Sequence, residues 1–295
     1  MIALLAIVVS GCGSAGEDSP PGDRFTVVTT IYPLQYFATR IVGESADVDS
    51  LVGSGTEAHA FEPTPADVQR LASADLIVAN GLDLEPWLDR ALDALGDDAA
   101  TVIEAGNVEG VRQDDEEANR WDPHLWLDPV LAAAQVERIH DALVAADPNA
   151  TDTYVTNAAD LLADLASLDV LYASRFADCS QRHFVTTHAA YGYVADRYDL
   201  VQISIAGLTP DSEPSPRDLA DLVERVRGLG LTHVLVEPTL SARVAETLAA
   251  ETGLGFLSIH QLESVTPDEL ADHDDYLGLM QANLDSLTTA LGCAA

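Results

Sequence analysis

Short apolar, β-branched runs alternate with helical patterns along nearly the whole chain, and one helical pattern near the middle is far longer than its neighbours. This alternation constrains the fold most, because parallel strands need crossover connections and helices supply them. Residues 25–30 (FTVVTT), 48–52, 76–79 and 102–103 read as strands, with helices expected over 34–42, 66–72, 85–95 and 129–146. A second set follows, with strands at 183–187, 201–205, 233–236 and 255–259 and helices at 189–198, 215–228, 242–252 and 275–291. Between the sets, residues 149–177 carry Val155, Leu161, Leu162, Leu165, Leu168, Leu171 and Tyr172, apolar positions recurring at spacings of three and four. At 1.5 Å per residue this helix reaches about 40 Å, longer than one lobe requires. The expected architecture is α/β: two lobes with parallel-sheet cores joined by one long rigid helix. Strand ends then face a shared cleft, where open α/β sheets bind ligands. The divisions fall at 1–23 for a signal and tether, 24–148 for the first lobe, 149–178 for the linking helix and 179–295 for the second lobe.

The start of the chain has a different character. Residues 2–9 (IALLAIVV) form an unbroken apolar run followed by Ser10-Gly11-Cys12. The run is too short to span a bilayer as a helix but suits the apolar part of an export signal. Val9-Ser10-Gly11-Cys12 resembles a bacterial lipobox, in which a Cys after small residues receives the lipid. No Lys or Arg precedes the run, a departure that points to a true start further upstream. Residues 13–23 (GSAGEDSPPGD) are small, polar and rich in Pro and Gly, as a flexible tether requires. The expected location is outside the cell, anchored to the outer face of the cytoplasmic membrane through Cys12. In that oxidising compartment the two remaining cysteines, Cys179 and Cys293, are expected to pair. Their bridge would pin the C-terminus onto the start of the second lobe.

Charge narrows the partners. The net charge is −35, and all 14 basic residues are Arg. A surface this acidic repels phosphate backbones and anionic lipid, which excludes nucleic-acid binding, and it attracts cations. Its main cause is read as adaptation to salt or a GC-rich genome, with cation steering a secondary benefit.

Of the eight histidines, four stand at strand ends or cleft-side loops. His59 lies in HAFEP after the second strand, and His124 in DPHLWLDP at the entry to a helix. His188 follows the strand HFVTT, and His260 follows the strand GFLSI. Two come from each lobe, so a pair of lobes closing on one cleft could surround a single ion. Neutral imidazole suits Zn²⁺, whereas Mn²⁺ and Ca²⁺ favour more oxygen donors. His140 (mid-helix), His183 and His233 (strand starts) and His273 (an acidic loop) are given no ligand role. There is no HExxH motif and no CxxC pair, so the residues alone lead to an interlobe metal site and no further.

The segments around these histidines resemble the substrate-binding proteins of zinc and manganese ABC importers, the cluster A-I or zinc-uptake solute-binding family. The matching blocks are 27–43 (VVTTIYPLQYFATRIVG), 55–88, 122–129 (DPHLWLDP), 187–200 (THAAYGYVADRYDL), 207–223, 233–238 (HVLVEP) and 276–291. The resemblance implies two α/β lobes on one long helix, with modest lobe movement and some ordering of loops on metal exchange. It implies capture of Zn²⁺ and its delivery to an ABC permease with its ATPase, by a monomer tethered to the membrane. His59, His124 and His188 fall where the family places its first three ligands. His at the third place favours zinc, since manganese members tend to carry Glu there. The family's fourth ligand is usually Asp, and His260 stands at the comparable place, with water or nearby Glu263 as the substitute donor. Many zinc members also carry a long His-rich loop, whereas residues 109–120 here are short and acidic and read as a solvated loop.

Other readings compete. Manganese, nickel or copper could be the cognate ion, and a surface adhesin or a metal chaperone would be tethered the same way. An enzyme, a zinc hydrolase with three histidines and an activated water, would need an open coordination position and a base. Glu62 and Glu263 are the only sequence-near candidates for that base. A fourth ligand argues against catalysis, and no enzymatic activity is expected.

Overall fold

In the computed structural model, residues 24–96, 99–113, 120–210, 214–237 and 243–294 are described. The lipobox, Cys12 and residues 114–119 of the acidic loop lie outside them. The first half runs β1 (Phe25–Thr29), α1 (Tyr32–Val42), β2 (Ala46–Ser50), α2 (Pro65–Ala72), β3 (Leu76–Ala79), α3 (Leu88–Leu95), β4 (Thr101–Glu104) and α4 (Pro129–Ala146). Then come the long α5 (Thr151–Phe176), β5 (His183–Thr186), α6 (Gly192–Arg197), β6 (Val201–Ser204) and α7 (Pro216–Leu229). The chain ends with β7 (His233–Val236), α8 (Arg243–Thr252), β8 (Gly255–Ser258), α9 (Pro267–His273) and α10 (Tyr276–Leu291).

The strands form two four-stranded sheets, ordered β2-β1-β3-β4 and β6-β5-β7-β8. All pairs are parallel. The two α/β lobes therefore repeat one topology. In each, the strand order reverses beside the first strand, which opens a crevice at the strands' carboxyl ends.

Packing ties the lobes together more tightly than a hinged pair would be. The outer faces have their own cores: Val28, Ile77, Trp87 and Ala91 in the first lobe, Val185, Ile203, Val226 and Leu248 in the second. The inner faces share a single apolar core that runs from Val27, Phe37 and Ile41 through Tyr154, Leu165 and Tyr172 to Phe184, Leu235 and Leu284. The stripe on α5 reads Tyr154, Ala158, Leu161, Leu165, Leu168, Tyr172 and Phe176. Tyr154, not Val155, is the inward residue at its start; Val155 is half exposed. The helix is 26 residues long, or about 39 Å, and packs on α1, α4 and α10. The disulfide joins Cys179, just beyond α5, to Cys293, just beyond α10, as the export reading anticipated.

One helix escaped the sequence reading. Residues 267–273, given no element by the sequence, form α9, and His273, read as part of an acidic loop, is its last residue. The signal is local: Thr266-Pro267-Asp268-Glu269 is a capping box with Pro in the first turn. The helix expected from residue 85 starts instead at Leu88, because the Glu85 carboxylate turns back to accept the backbone N–H groups of Asn80 and Gly81, each at 2.9 Å.

Candidate metal centre

Four side chains converge where the lobes meet: His59, His124, His188 and Glu263, with one ligand atom from each lying within 4.8 Å of all the others. Each is delivered by a loop at the carboxyl end of a strand. His59 follows β2, and its turn is shaped by Glu57, whose carboxylate accepts the N–H groups of His59 (3.0 Å) and Ala60 (2.8 Å). Burial pushes the Glu57 carboxyl upward, and the nearby Glu263 charge adds to the shift. His124 follows β4 and opens the 3-10 turn Leu125–Leu127. His188 lies two residues past β5, where the Thr186 hydroxyl and the Gln202 amide both donate to its carbonyl, at 2.7 and 2.9 Å. Glu263 lies between β8 and α9.

The imidazoles are oriented from behind. His124 Nδ1 is 2.8 Å from Asp122 Oδ1, and His188 Nδ1 is 2.7 Å from Glu237 Oε1. Asp122, Glu237 and Glu263 are all buried. A carboxylate accepts only, so each of these Nδ1 atoms carries the proton and each Nε2 presents a lone pair. The Nε2 atoms face one another: His59 Nε2 is 3.3 Å from His124 Nε2, which is 3.4 Å from His188 Nε2. Glu263 Oε1 lies 3.2 Å from His59 Nε2 and 3.3 Å from His124 Nε2. Neither Glu263 oxygen has a hydrogen-bond partner apart from these imidazoles. A buried carboxylate among inward-facing lone pairs is unfavourable unless a cation sits between them.

The spacing indicates which kind of cation. A tetrahedron whose ligands stand about 2.0–2.1 Å from its centre has edges of about 3.3–3.4 Å. Four of the six edges here measure 3.2, 3.3, 3.3 and 3.4 Å. Three nitrogens and one oxygen at this spacing match Zn²⁺, whereas Ca²⁺ and Mg²⁺ require six or more donors, chiefly oxygen. Electrostatics agree. Burial works against protonation of His124, but hydrogen bonds and charge from Asp122 and Glu263 outweigh it and bring its pKa up to about 9. Burial likewise opposes ionisation of Glu263, yet the positive charge offered by His59 and His124 holds its carboxyl well below the usual range. Without metal, the centre retains a proton in the ion's place.

The structure brings together three of the four expected histidines and puts Glu263 where His260 was expected. His260 is fixed by its backbone: its N–H donates to Asn283 Oδ1 (2.8 Å), and its carbonyl accepts from Asn283 Nδ2 (2.8 Å) and the Tyr191 hydroxyl (2.6 Å). Its imidazole is held by α9, 2.9 Å from Glu269 and beside the ring of His273. The chain then turns at Leu262, whose φ of 63° is left-handed, and presents the next side chain, Glu263, to the cleft. Glu62, weighed as a base, is exposed. Sequence reasoning missed Asp122 and Glu237 altogether, although each sits in a quoted block, DPHLW and HVLVEP. A cavity of about 930 Å³ beside β6 is lined by none of the four converging residues.

Two similar parallel-sheet lobes on one long helix, closing on a buried cation-binding tetrahedron, define a metal-binding protein of the solute-binding class. Residues 27–290 match the family model for the periplasmic zinc-uptake complex component A, and the chain belongs to that family. It is 35% identical to the high-affinity zinc uptake system protein ZnuA of Bacillus subtilis, over 99% of this chain and 96% of that protein. It is 34% identical to the zinc-binding lipoprotein AdcA of Streptococcus pneumoniae and spans 59% of that protein's length. The Zn(II)-bound ZnuA-like domain of that AdcA superposes with a TM-score of 0.80 at 35% identity, over 91% of this chain and 99% of the domain.

Proposed function

We propose that this chain is the extracytoplasmic zinc-binding component of an ABC importer. It captures Zn²⁺ between His59, His124, His188 and Glu263 and passes it to a membrane permease driven by an ATPase. The observation that carries the reading is the buried Glu263 carboxylate, without partners other than the imidazole nitrogens it faces at tetrahedral edge distances. Asp122 and Glu237 set the tautomers of His124 and His188 and raise their basicity as ligands. Three neutral imidazoles and three carboxylates then surround the ion with slight excess negative charge in a site shielded from water. With Glu263 in the fourth corner no coordination position is left for a reactive water, so the centre suits capture and release rather than hydrolysis.

The protein acts as a monomer, tethered by a lipid on Cys12. The lipoprotein name of the pneumococcal relative and the lipobox-like Val9-Ser10-Gly11-Cys12 support the anchor. Exchange of Cys12 for Ala should release the protein from the membrane fraction of its host, and retention would rule the anchor out.

The function is tested by titrating the metal-stripped chain with Zn²⁺ and Mn²⁺ in a calorimeter, beside Glu263→Gln and His260→Ala. One tight Zn²⁺ site, much weaker for Mn²⁺, weakened in Glu263→Gln and kept in His260→Ala, is expected. Preference for Mn²⁺, or no stoichiometric binding, would overturn the zinc reading. Loss in His260→Ala with Glu263→Gln intact would restore the four-histidine site.

A further inference from the structure

Glu263 belongs to the second half of the chain, yet the first half holds its loop. Residues 261–265 run as a strap across the interface, and three alternate carbonyls accept hydrogen bonds from first-lobe donors. The Gln261 carbonyl accepts from the indole Nε1–H of Trp126 (2.6 Å), that of Glu263 from the backbone N–H of Tyr32 (3.0 Å), and that of Val265 from the Ser54 hydroxyl (2.7 Å). Trp126 is fully buried, and its ring centroid is 5.4 Å from that of His124. Its own carbonyl accepts the Tyr276 hydroxyl at 2.5 Å. One tryptophan therefore packs against one ligand and bonds the loop that carries another. Ser54 sits on the His59 loop and bonds the far end of the same strap. Neither residue belongs to the ligand set.

We propose that Trp126 and Ser54 are positioning residues that fix the gap between Glu263 and the His59–His124 edge, and so set the preference for Zn²⁺ over larger divalent ions. The proposal rests on the zinc reading above. A carboxylate on an unbound loop could withdraw, widen the site and admit the extra oxygen donors that Mn²⁺ prefers. A carboxylate held at both ends of its loop keeps the 3.2 and 3.3 Å edges, which match the spacing of a four-coordinate zinc site.

The test compares the full metal-stripped chain with Trp126→Phe and Ser54→Ala, each also in the Glu263→Gln background. Competition titrations give Zn²⁺ and Mn²⁺ affinities, Co²⁺ visible absorption reports tetrahedral geometry, and the melting temperature of the metal-free form reports folding. Loss of a bond that orients a ligand costs about 10- to 100-fold in metal affinity. Zn²⁺ affinity should fall within that range while Mn²⁺ affinity changes less, the Co²⁺ band should weaken, and the penalties should largely vanish in Glu263→Gln. Variants that melt earlier but keep the Zn²⁺/Mn²⁺ ratio and the Co²⁺ band would overturn the proposal, as would equal penalties in the Glu263→Gln background. If Trp126→Phe does not fold, Ser54→Ala, at an exposed position, decides the question. Failure of the unmodified chain to bind Zn²⁺ would overturn both this proposal and the zinc reading, whereas tight binding with unaltered selectivity in the variants would overturn this one alone.

Discussion

Glu237 shows how a residue that never touches an ion can govern its binding. Its Oε1 accepts from the Thr187 hydroxyl at 2.8 Å and orients His188, while Oε2 is buried without a partner. Glu237→Gln keeps the shape but removes the charge, and amide rotation could offer His188 a donor instead of an acceptor. Zn²⁺ affinity should fall about 10- to 100-fold, measured by competition with a chromophoric chelator; an unchanged affinity would deny Glu237 an orienting role. Protonation at His124 supplies a pH dependence of definite sign. Its metal-free pKa is raised to about 9, so below that pH Zn²⁺ must displace a proton. Apparent affinity should rise about tenfold per pH unit up to about pH 9 through this group and then level off. Titrations in buffers of different ionisation enthalpy measure the proton released. In the metal-free protein the same group contributes stability below its unfolded pKa of about 6.5, lost as pH climbs through about 9. Glu263, held low, contributes above the ordinary carboxylate range and ceases to do so as pH falls through its depressed value.

Among the elements, α9 has an importance out of proportion to its seven residues. It closes the strap that carries Glu263, and its capping box does two things. The Thr266 hydroxyl accepts the Glu269 N–H, while the Glu269 carboxylate accepts from Thr266 and also holds His260 away from the cleft. Thr266→Ala should cost about 1 kcal/mol of stability and loosen the strap, visible as faster amide exchange over 261–273. Gly278 explains why α10 can start so close behind. A Cβ there would clash with the His273 carbonyl oxygen, so Gly278→Ala should disturb α9 more than its helix propensity alone suggests.

For the whole molecule, the shared inner core makes the two lobes one cooperative body. Thermal unfolding of the metal-free chain should show a single calorimetric transition, and two resolved transitions would mean the lobes fold independently. Zn²⁺ should shift that transition upward, more at higher free metal, because only the folded state assembles the site. The disulfide spans 114 residues, and removing it through Cys179→Ser with Cys293→Ser should cost about 2–4 kcal/mol, read from chemical denaturation. Cross-links at the DPHLWLDP segment fit the same picture. Tyr193 donates to the Asp122 carbonyl, Trp126 to that of Gln261, and Arg197 pairs with Asp128. That segment joins the first lobe to the second, which favours small loop rearrangements over wide opening during metal exchange.

Periodicity and caps are local properties, and they marked the two parallel-sheet halves, the span of α4 and the long α5 because each depends only on neighbours within a few residues. The block motifs pointed to His59, His124 and His188, and compartment chemistry to the Cys179–Cys293 bridge. The choice between His260 and Glu263 was not local. Both follow β8 within five residues, and both could bind zinc. What separates them is Asn283 on α10 and Tyr191 fastening His260 from behind, Glu269 drawing its ring aside, and Trp126, Tyr32 and Ser54 pulling the next stretch across the cleft. Those partners lie between 9 and 231 residues away. Sequence thus determined which elements form and which residue types meet at the cleft. Only packing decided which of two side chains three residues apart faces the cleft, because a side chain's direction depends on what the folded chain places behind it.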